Sequence, residues 1–333
     1  MDLGKPILIN EKNVIAVENR LKNHLFLTWL INNICTNSCS YCPTEVHSGK
    51  NHHYDWEIAR KFIINCFEKY GNIHCSVSGG EPTVSPFFKD LVNLIYDNNG
   101  TMHLTTNLVK PMQYWKDIRF KFSSIAASYH PEFIKTEKDE DKFIEKSNFI
   151  GQETSLGIRI MMLPTLWDRC YNFYKKASRE NKGYTIELVR VLPNFGVGKD
   201  FCDITYTSEQ NEILNSYVLE AIYPDHKNLR KYISQSFLKY DDNSESERMD
   251  QKKAIYLENT KKANFLNWHC DIGLESLFVH YDGNIQRGNC GVSGIIGNIN
   301  DFNNIIWPND SIICDKTLCH CMADLTVSKR IKK

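Results

Sequence analysis

Apolar positions along the chain fall into short unbroken runs, separated by stretches whose apolar residues recur at helical spacing. Residues 24–34 (HLFLTWLINNI) form the first long run, the pattern of a strand buried on both faces. Residues 55–69 then place Trp56, Ala59, Phe62, Ile63, Cys66 and Phe67 on one helical face, with Asp55 at the capping position. Residues 73–78 (IHCSVS) predict a second strand, running into Gly79-Gly80-Glu81-Pro82. Ser85-Pro86 reads as a cap and a first-turn proline, opening a helix through Tyr96.

The same rhythm continues. Strands are predicted over 101–106, 121–128, 156–163 and 184–192, and helices from Pro111, over 137–149 and over 167–180. Six strands alternating with five helices imply a parallel α/β fold. An open doubly wound sheet and a partial barrel compete for this pattern. No glycine-rich dinucleotide loop follows the first strand, and polar residues recur at strand ends, where barrels assemble their sites. The expected fold class is α/β: a partial (β/α)6 TIM-type barrel, followed by a small cysteine-rich domain with a β-hairpin.

Outside that core the pattern is weaker. Residues 6–9 predict a short strand within an N-terminal extension, 1–23. After Pro193, residues 208–237 predict helix and 240–253 (YDDNSESERMDQKK) a polar connector. The expected divisions are therefore 1–23, a core over 24–200, a helical connector over 201–265 and a cysteine-rich domain over 266–333. In the last, residues 277–286 read as a strand, an Asp282-Gly283 turn and a returning strand.

Composition adds few constraints. Lys plus Arg and Asp plus Glu each number 40, so nothing in the net charge favours nucleic acid. No targeting signal and no apolar stretch of membrane-spanning length is evident, so a cytoplasmic protein is expected, with its thiols reduced. Twelve cysteines are present. Cys66, Cys75, Cys170 and Cys202 stand alone in periodic or apolar segments and read as small buried hydrophobes.

The other eight cysteines are grouped. Cys35, Cys39 and Cys42 lie within eight residues directly after the first strand, where their sulfurs can turn to one centre. Three thiolates leave one corner of a four-iron cluster open. Cys270, Cys290, Cys314, Cys319 and Cys321 form the second group, flanking and following the predicted hairpin. A second iron–sulfur cluster and a zinc ion are both compatible with these thiols.

The run Cys35-x3-Cys39-x2-Cys42, with aromatic Tyr41 before the last cysteine, resembles the signature of the radical S-adenosylmethionine (radical SAM) superfamily. Gly79-Gly80-Glu81-Pro82 after the second strand matches that family's second motif. The likeness covers roughly residues 24–195 and implies the same partial barrel. It implies that Cys35, Cys39 and Cys42 hold a [4Fe–4S] cluster whose fourth iron is chelated by S-adenosylmethionine. It places the backbone of Gly79, Gly80 and Glu81 near the methionine amine and Tyr41 beside the adenine. Ser128 would contact ribose or carboxylate, and Arg159 the cosubstrate carboxylate; a capping serine and a surface ion pair are the alternative readings of these two.

The C-terminal group resembles the SPASM auxiliary-cluster domain in its shorter form, twitch. This implies a second [4Fe–4S] cluster, with Cys314 and Cys321 competing for one position beside Cys270, Cys290 and Cys319. His130, Tyr129, Asn107, Glu187 and Arg190 are further strand-end candidates for substrate contact or proton transfer, a structural hydrogen bond being the alternative reading of His130. Glu187 and Arg190 should face opposite sides of their strand.

The chemistry implied is reductive cleavage of S-adenosylmethionine to a 5'-deoxyadenosyl radical, which abstracts a substrate hydrogen atom. An external donor such as flavodoxin or ferredoxin would supply the electron. Only 23 residues precede the first barrel strand, too few for a peptide-recognition domain. A small-molecule oxidoreductase is therefore the first expectation and a ribosomal-peptide-modifying enzyme the second. A non-enzymatic iron–sulfur or zinc protein is the reading from another class.

Overall fold

The structure is a computed structural model. It describes residues 7–9, 12–191, 204–217, 235–242, 244–249, 253–254, 257, 262–319 and 321–331. Cys202 and most of the helix predicted over 208–237 therefore lie outside the described residues.

The predicted alternation of strands and helices is present: β3 (His24–Leu30), α1 (Trp56–Tyr70), β4 (Asn72–Ser78), α2 (Phe88–Asp97), β5 (Thr101–Thr106), α3 (Met112–Lys116), β6 (Ser124–Tyr129), α4 (Glu137–Gly151), β7 (Ser155–Met161), α5 (Trp167–Glu180) and β8 (Thr185–Val189). A short strand, β1 (Ile7–Ile9), and a longer one, β2 (Lys12–Asn19), precede them. The chain has a mixed α/β fold with a partial-barrel sheet and a C-terminal cysteine-rich region. It divides into two compact units, one of Met1–Trp29, Trp56–Cys75 and Tyr232–Lys333, the other of Leu30–Asp55 and Ser76–Lys231.

In the second unit, β5, β6, β7 and β8 pair in parallel, each with the next. The two faces of this sheet differ sharply. Leu104, Ile125, Tyr129, Ile158 and Ile160 are almost fully buried. Tyr129 stacks on Phe173 of α5 with ring centroids 3.7 Å apart, and both meet Phe143 of α4 edge-on. The opposite face carries His103, Ser124, Ser128, Arg159 and Glu187, which register strand against strand. A parallel sheet covered on both faces would be apolar on both. The polar face marks the side on which chemistry can be built.

Three local expectations are corrected. The helix expected to open at Ser85-Pro86 begins two residues later, with Phe87 at the cap and Phe88 its first residue, after a 3₁₀ turn over Pro82–Val84 that Glu81 caps. Strand β9 (Ser236–Tyr240) takes in the end of the helix predicted over 208–237, and the polar stretch 240–253 read as connector contributes β10 (Glu247–Arg248), which pairs antiparallel with β9. Of the helix predicted over 208–237, the first nine residues form α6 (Ser208–Ser216), opened by a reciprocal Thr207–Gln210 capping box and ended by the extended backbone of Tyr217.

In the first unit, β2 pairs with β9 and with β16 (Lys329–Arg330); β16 pairs with β11 (His269–Cys270), and β11 with β15 (Ile312–Ile313). The predicted hairpin is β12 (Ser276–Val279) and β13 (Asn284–Gln286), turning at Gly283 with φ 86°. β12 pairs in parallel with β3, and β13 pairs with β14 (Ile295–Asn298). Short α7 (Met322–Leu325) precedes β16.

The Tyr129–Phe173–Phe143 cluster fastens α4 and α5 to the parallel strands. Phe173→Ala is expected to cost roughly 3–5 kcal/mol, as large aromatic truncations in cores do, measured as a lowered denaturation midpoint. A loss below about 1 kcal/mol would contradict this packing role.

Candidate active site

Residues 31–34 and 78–81 lie backbone against backbone. Ile31 N donates to Ser78 O (3.0 Å), Gly80 N to Asn32 O (2.8 Å) and Glu81 N to Ile34 O (2.8 Å), while Asn32 Nδ2 donates to Glu81 O (3.2 Å). This approach explains both glycines. A Cβ at Gly79, where φ is 127°, would stand 2.3 Å from Asn32 O, and one at Gly80 2.3 Å from Ile34 O. Any side chain here would push away the segment that leads into Cys35.

The Glu81 side chain completes the anchor. It is 1% exposed, and its two oxygens accept from Thr83 N (3.1 Å), Thr83 Oγ1 (2.6 Å), Thr106 Oγ1 (2.8 Å) and Asn107 N (2.7 Å). Burial raises its pKa, and these four donors oppose the rise. The carboxylate is thus committed to holding the motif to the end of β5. Asn107, singled out in the sequence, lies there: its Nδ2 donates to Thr36 Oγ1 at 3.0 Å and lies 4.0 Å from Cys35 Sγ.

The cysteine loop itself turns through a Cys42 N to Cys39 O bond of 3.1 Å, and Asn37 N approaches Cys35 Sγ at 3.4 Å. A second clamp comes from the loop after β6. Glu132 Oε2 accepts from Ser40 N at 2.9 Å, and His130 Nδ1 lies 2.7 Å from Tyr41 Oη and 3.5 Å from Cys39 Sγ. Glu132 had no pattern to reveal it beyond its place in the polar His130-Pro131-Glu132 segment.

Burial pushes the thiols of Cys39 and Cys42 up to about 12, and that of Cys35 upward. Neighbouring thiols of the same loop add to the rise at Cys39 and Cys42. The shifts favour the protonated thiols at neutral pH. Three thiols on one anchored loop fit the open-cornered cluster implied by their spacing.

Other candidates sort clearly. Burial, with the Arg159 charge adding, lowers the pKa of His130 to about 4. Its contact with the Tyr41 hydroxyl matches the reading of a strand-end histidine in a structural hydrogen bond. Tyr129 faces the helices, its hydroxyl on Glu140 at 3.0 Å, and does not reach the polar face. Ser128, Arg159 and Glu187 are register neighbours, and Arg159 Nε meets Glu187 Oε2 at 3.1 Å. Arg190 turns elsewhere, to Asn211 (2.5 Å) and Asn215 (3.2 Å). Cys66, Cys75 and Cys170 are buried.

In the C-terminal region, Cys270, Cys290, Cys314 and Cys319 line one pocket with Asp324 and Lys329; Cys321 does not line it. Cys321 instead directly precedes α7. Asp324 Oδ2 accepts from Cys290 N at 2.8 Å and Oδ1 from Asn289 N at 3.3 Å. Gly288 permits this, since a Cβ there would lie 2.7 Å from Asp324 Oδ1. Burial raises the Cys290 thiol to about 12 and the Cys321 thiol to about 11, with Asp324 adding to both. Four thiol donors suit an iron–sulfur cluster. Among the described residues, no group of three or more His, Cys, Asp or Glu is placed to hold a single metal ion. No helix among them is long and apolar enough to cross a membrane.

Residues 29–125 match the model of the radical SAM superfamily. A stretch of 139 residues is 23% identical to GTP 3',8-cyclase of Photorhabdus laumondii subsp. laumondii, covering 40% of this chain and 42% of that enzyme. The chain thus spans about two fifths of the curated relative it matches. Native anSMEcpe with bound AdoMet and Kp18Cys peptide is similar in structure, with a TM-score of 0.51 at 15% identity over 84% of this chain and 78% of that one. Streptococcus suis SuiB gives a TM-score of 0.49 at 11% identity, over 86% of this chain and 65% of that one. The chain carries a radical SAM domain.

Glu81→Ala would strip the acceptors from buried donors on Thr83, Thr106 and Asn107. A loss of roughly 2–4 kcal/mol is expected, together with less iron per chain after reconstitution. Unchanged stability and iron content would show that Glu81 is not the anchor.

Proposed function

We propose that this radical SAM domain reductively cleaves S-adenosylmethionine and directs the resulting hydrogen-atom abstraction at a peptide, with a second iron–sulfur cluster in the C-terminal region. One observation carries the reading: three thiols sit on a loop fastened, through Gly80 and Glu81, to the family's second motif. When bound, the cluster and its cosubstrate would supply an electron and a 5'-deoxyadenosyl radical.

The chain's own residues supply position and shelter. Cys35, Cys39 and Cys42 would hold the cluster. Gly79, Gly80 and Glu81 would set backbone groups beside the cosubstrate amine, and Tyr41, packed against His130, would stand beside the adenine. Ser128 and Arg159 are proposed cosubstrate contacts on the polar sheet face, with Glu187 holding the guanidinium in place. Cys39 and Tyr41 are buried among Met161, Leu163 and Val191, which keeps water from that side of the loop. Cys270, Cys290, Cys314 and Cys319 are the proposed ligands of the second cluster, leaving Cys321 outside it. Residues 24–200 would form the catalytic core and 266–333 the auxiliary region, with flavodoxin or ferredoxin as electron donor.

The peptide class is supported by the likeness to anSMEcpe, whose structure contains a bound peptide and AdoMet. A small-molecule substrate is the second reading, favoured by the match to GTP 3',8-cyclase.

Anaerobic incubation with dithionite and S-adenosylmethionine should yield 5'-deoxyadenosine, and Cys39→Ala should reduce the yield to background. With a deuterated peptide pool, deuterium is expected in the 5'-deoxyadenosine. Deuterium acquired only from a deuterated nucleotide pool would favour the small-molecule reading. Absence of 5'-deoxyadenosine from the iron-loaded protein would contradict both and leave an iron–sulfur or zinc protein without this activity.

A further inference from the structure

A buried lysine stands beside the C-terminal thiols. Lys329 is 2% exposed and lines the same pocket as Cys270, Cys290, Cys314 and Cys319. Its position follows from the sheet, because Lys329 of β16 is the direct antiparallel partner of Cys270 in β11. Its Nζ donates to the carbonyls of Asp324, Leu325 (3.5 Å) and Val327 (3.0 Å). Three acceptors match the three protons of an ammonium, so the geometry is that of the charged form.

Placing a lysine here is costly unless anions balance it, since burial disfavours the charge. Asp324, 2% exposed and lining the same pocket, is one candidate. Its two oxygens are already engaged with the backbone of Asn289 and Cys290. The other anions available are the four thiolates that ligation would create.

We propose that Lys329 is the built-in counter-charge of the group held by Cys270, Cys290, Cys314 and Cys319, and that it raises that group's reduction potential. This rests on the reading of those thiols as an iron–sulfur site. Reduction adds one electron, and so one negative charge, to a centre already surrounded by thiolates. A cation in the same poorly screened pocket stabilises the reduced form more than the oxidised one. Asp324 acts in the opposite sense. Lys329 is a positioning residue in this account, since it acts on the centre through its field. A purely structural role, capping the end of α7 through the Asp324 and Leu325 carbonyls, would affect stability and leave the potential unmoved.

The test uses the full chain with Cys35, Cys39 and Cys42 all changed to Ala, so that only the C-terminal site can take up iron. After anaerobic reconstitution, iron is counted and the midpoint potential is read by EPR-monitored redox titration. Adding Lys329→Met should lower the midpoint, and adding Asp324→Asn should raise it. Should Lys329→Met fail to bind iron, Asp324→Asn alone decides the sign. Iron retained with midpoints unmoved by either substitution would overturn the role of Lys329. Absence of an iron–sulfur signal in the triple-alanine chain would overturn the reading of the four thiols instead.

Discussion

The chain that enters the cysteine loop runs so close to the Gly79-Gly80-Glu81 segment that no side chain fits between them. That contact governs the rest of the site. A Cβ at either glycine would lie 2.3 Å from a carbonyl oxygen of residues 32 or 34, inside any allowed separation. With glycine there, two backbone N–H groups reach across, and Cys35 starts from a fixed point. Glu81 then carries the fixation onward to the end of β5, because four donors on Thr83, Thr106 and Asn107 converge on its buried carboxylate. The thiol loop is held on its other side by Glu132 and His130. A loop of small polar residues would otherwise sample many conformations, and ordering it at the moment of metal binding would weaken the metal site.

The two thiol groups share a physical logic. In each, burial favours the protonated thiols, and a buried carboxylate organises the surrounding backbone. They differ in number: three thiols lie on the first loop, and four line the C-terminal pocket. An incomplete shell suits a centre that must bind a cosubstrate, and a complete one suits a centre that stores or passes an electron.

Much of this was legible in the sequence, for identifiable reasons. The strand–helix alternation from residue 24 to 189 is carried by local periodicity, and the cysteine loop by local spacing; neither needs tertiary information. The facing of Glu187 and Arg190 follows from the two-residue period of a strand, and their separate partners agree with it. What was illegible depends on distant pairing. Glu81 acts through residues 25 and 26 positions away, and Lys329 meets Cys270 only because β16 returns against β11. Strand β9 was hidden because its first residues read as the end of a helix, and β10 because its polar composition reads as connector; pairing of β9 with β2, and of β10 with β9, decides their structure. The start of α2 was misplaced because Glu81, rather than Ser85, provides a side-chain cap in that segment.

The central claim is that the Cys35–Cys42 loop holds a cluster with one iron free to bind S-adenosylmethionine. EPR spectroscopy of the reduced, reconstituted chain carrying Cys270→Ala and Cys290→Ala isolates that centre. Adding S-adenosylmethionine is predicted to change its g-values, since coordination at the free iron alters the cluster's electronic structure. A normal cluster signal that S-adenosylmethionine leaves unchanged would contradict the account.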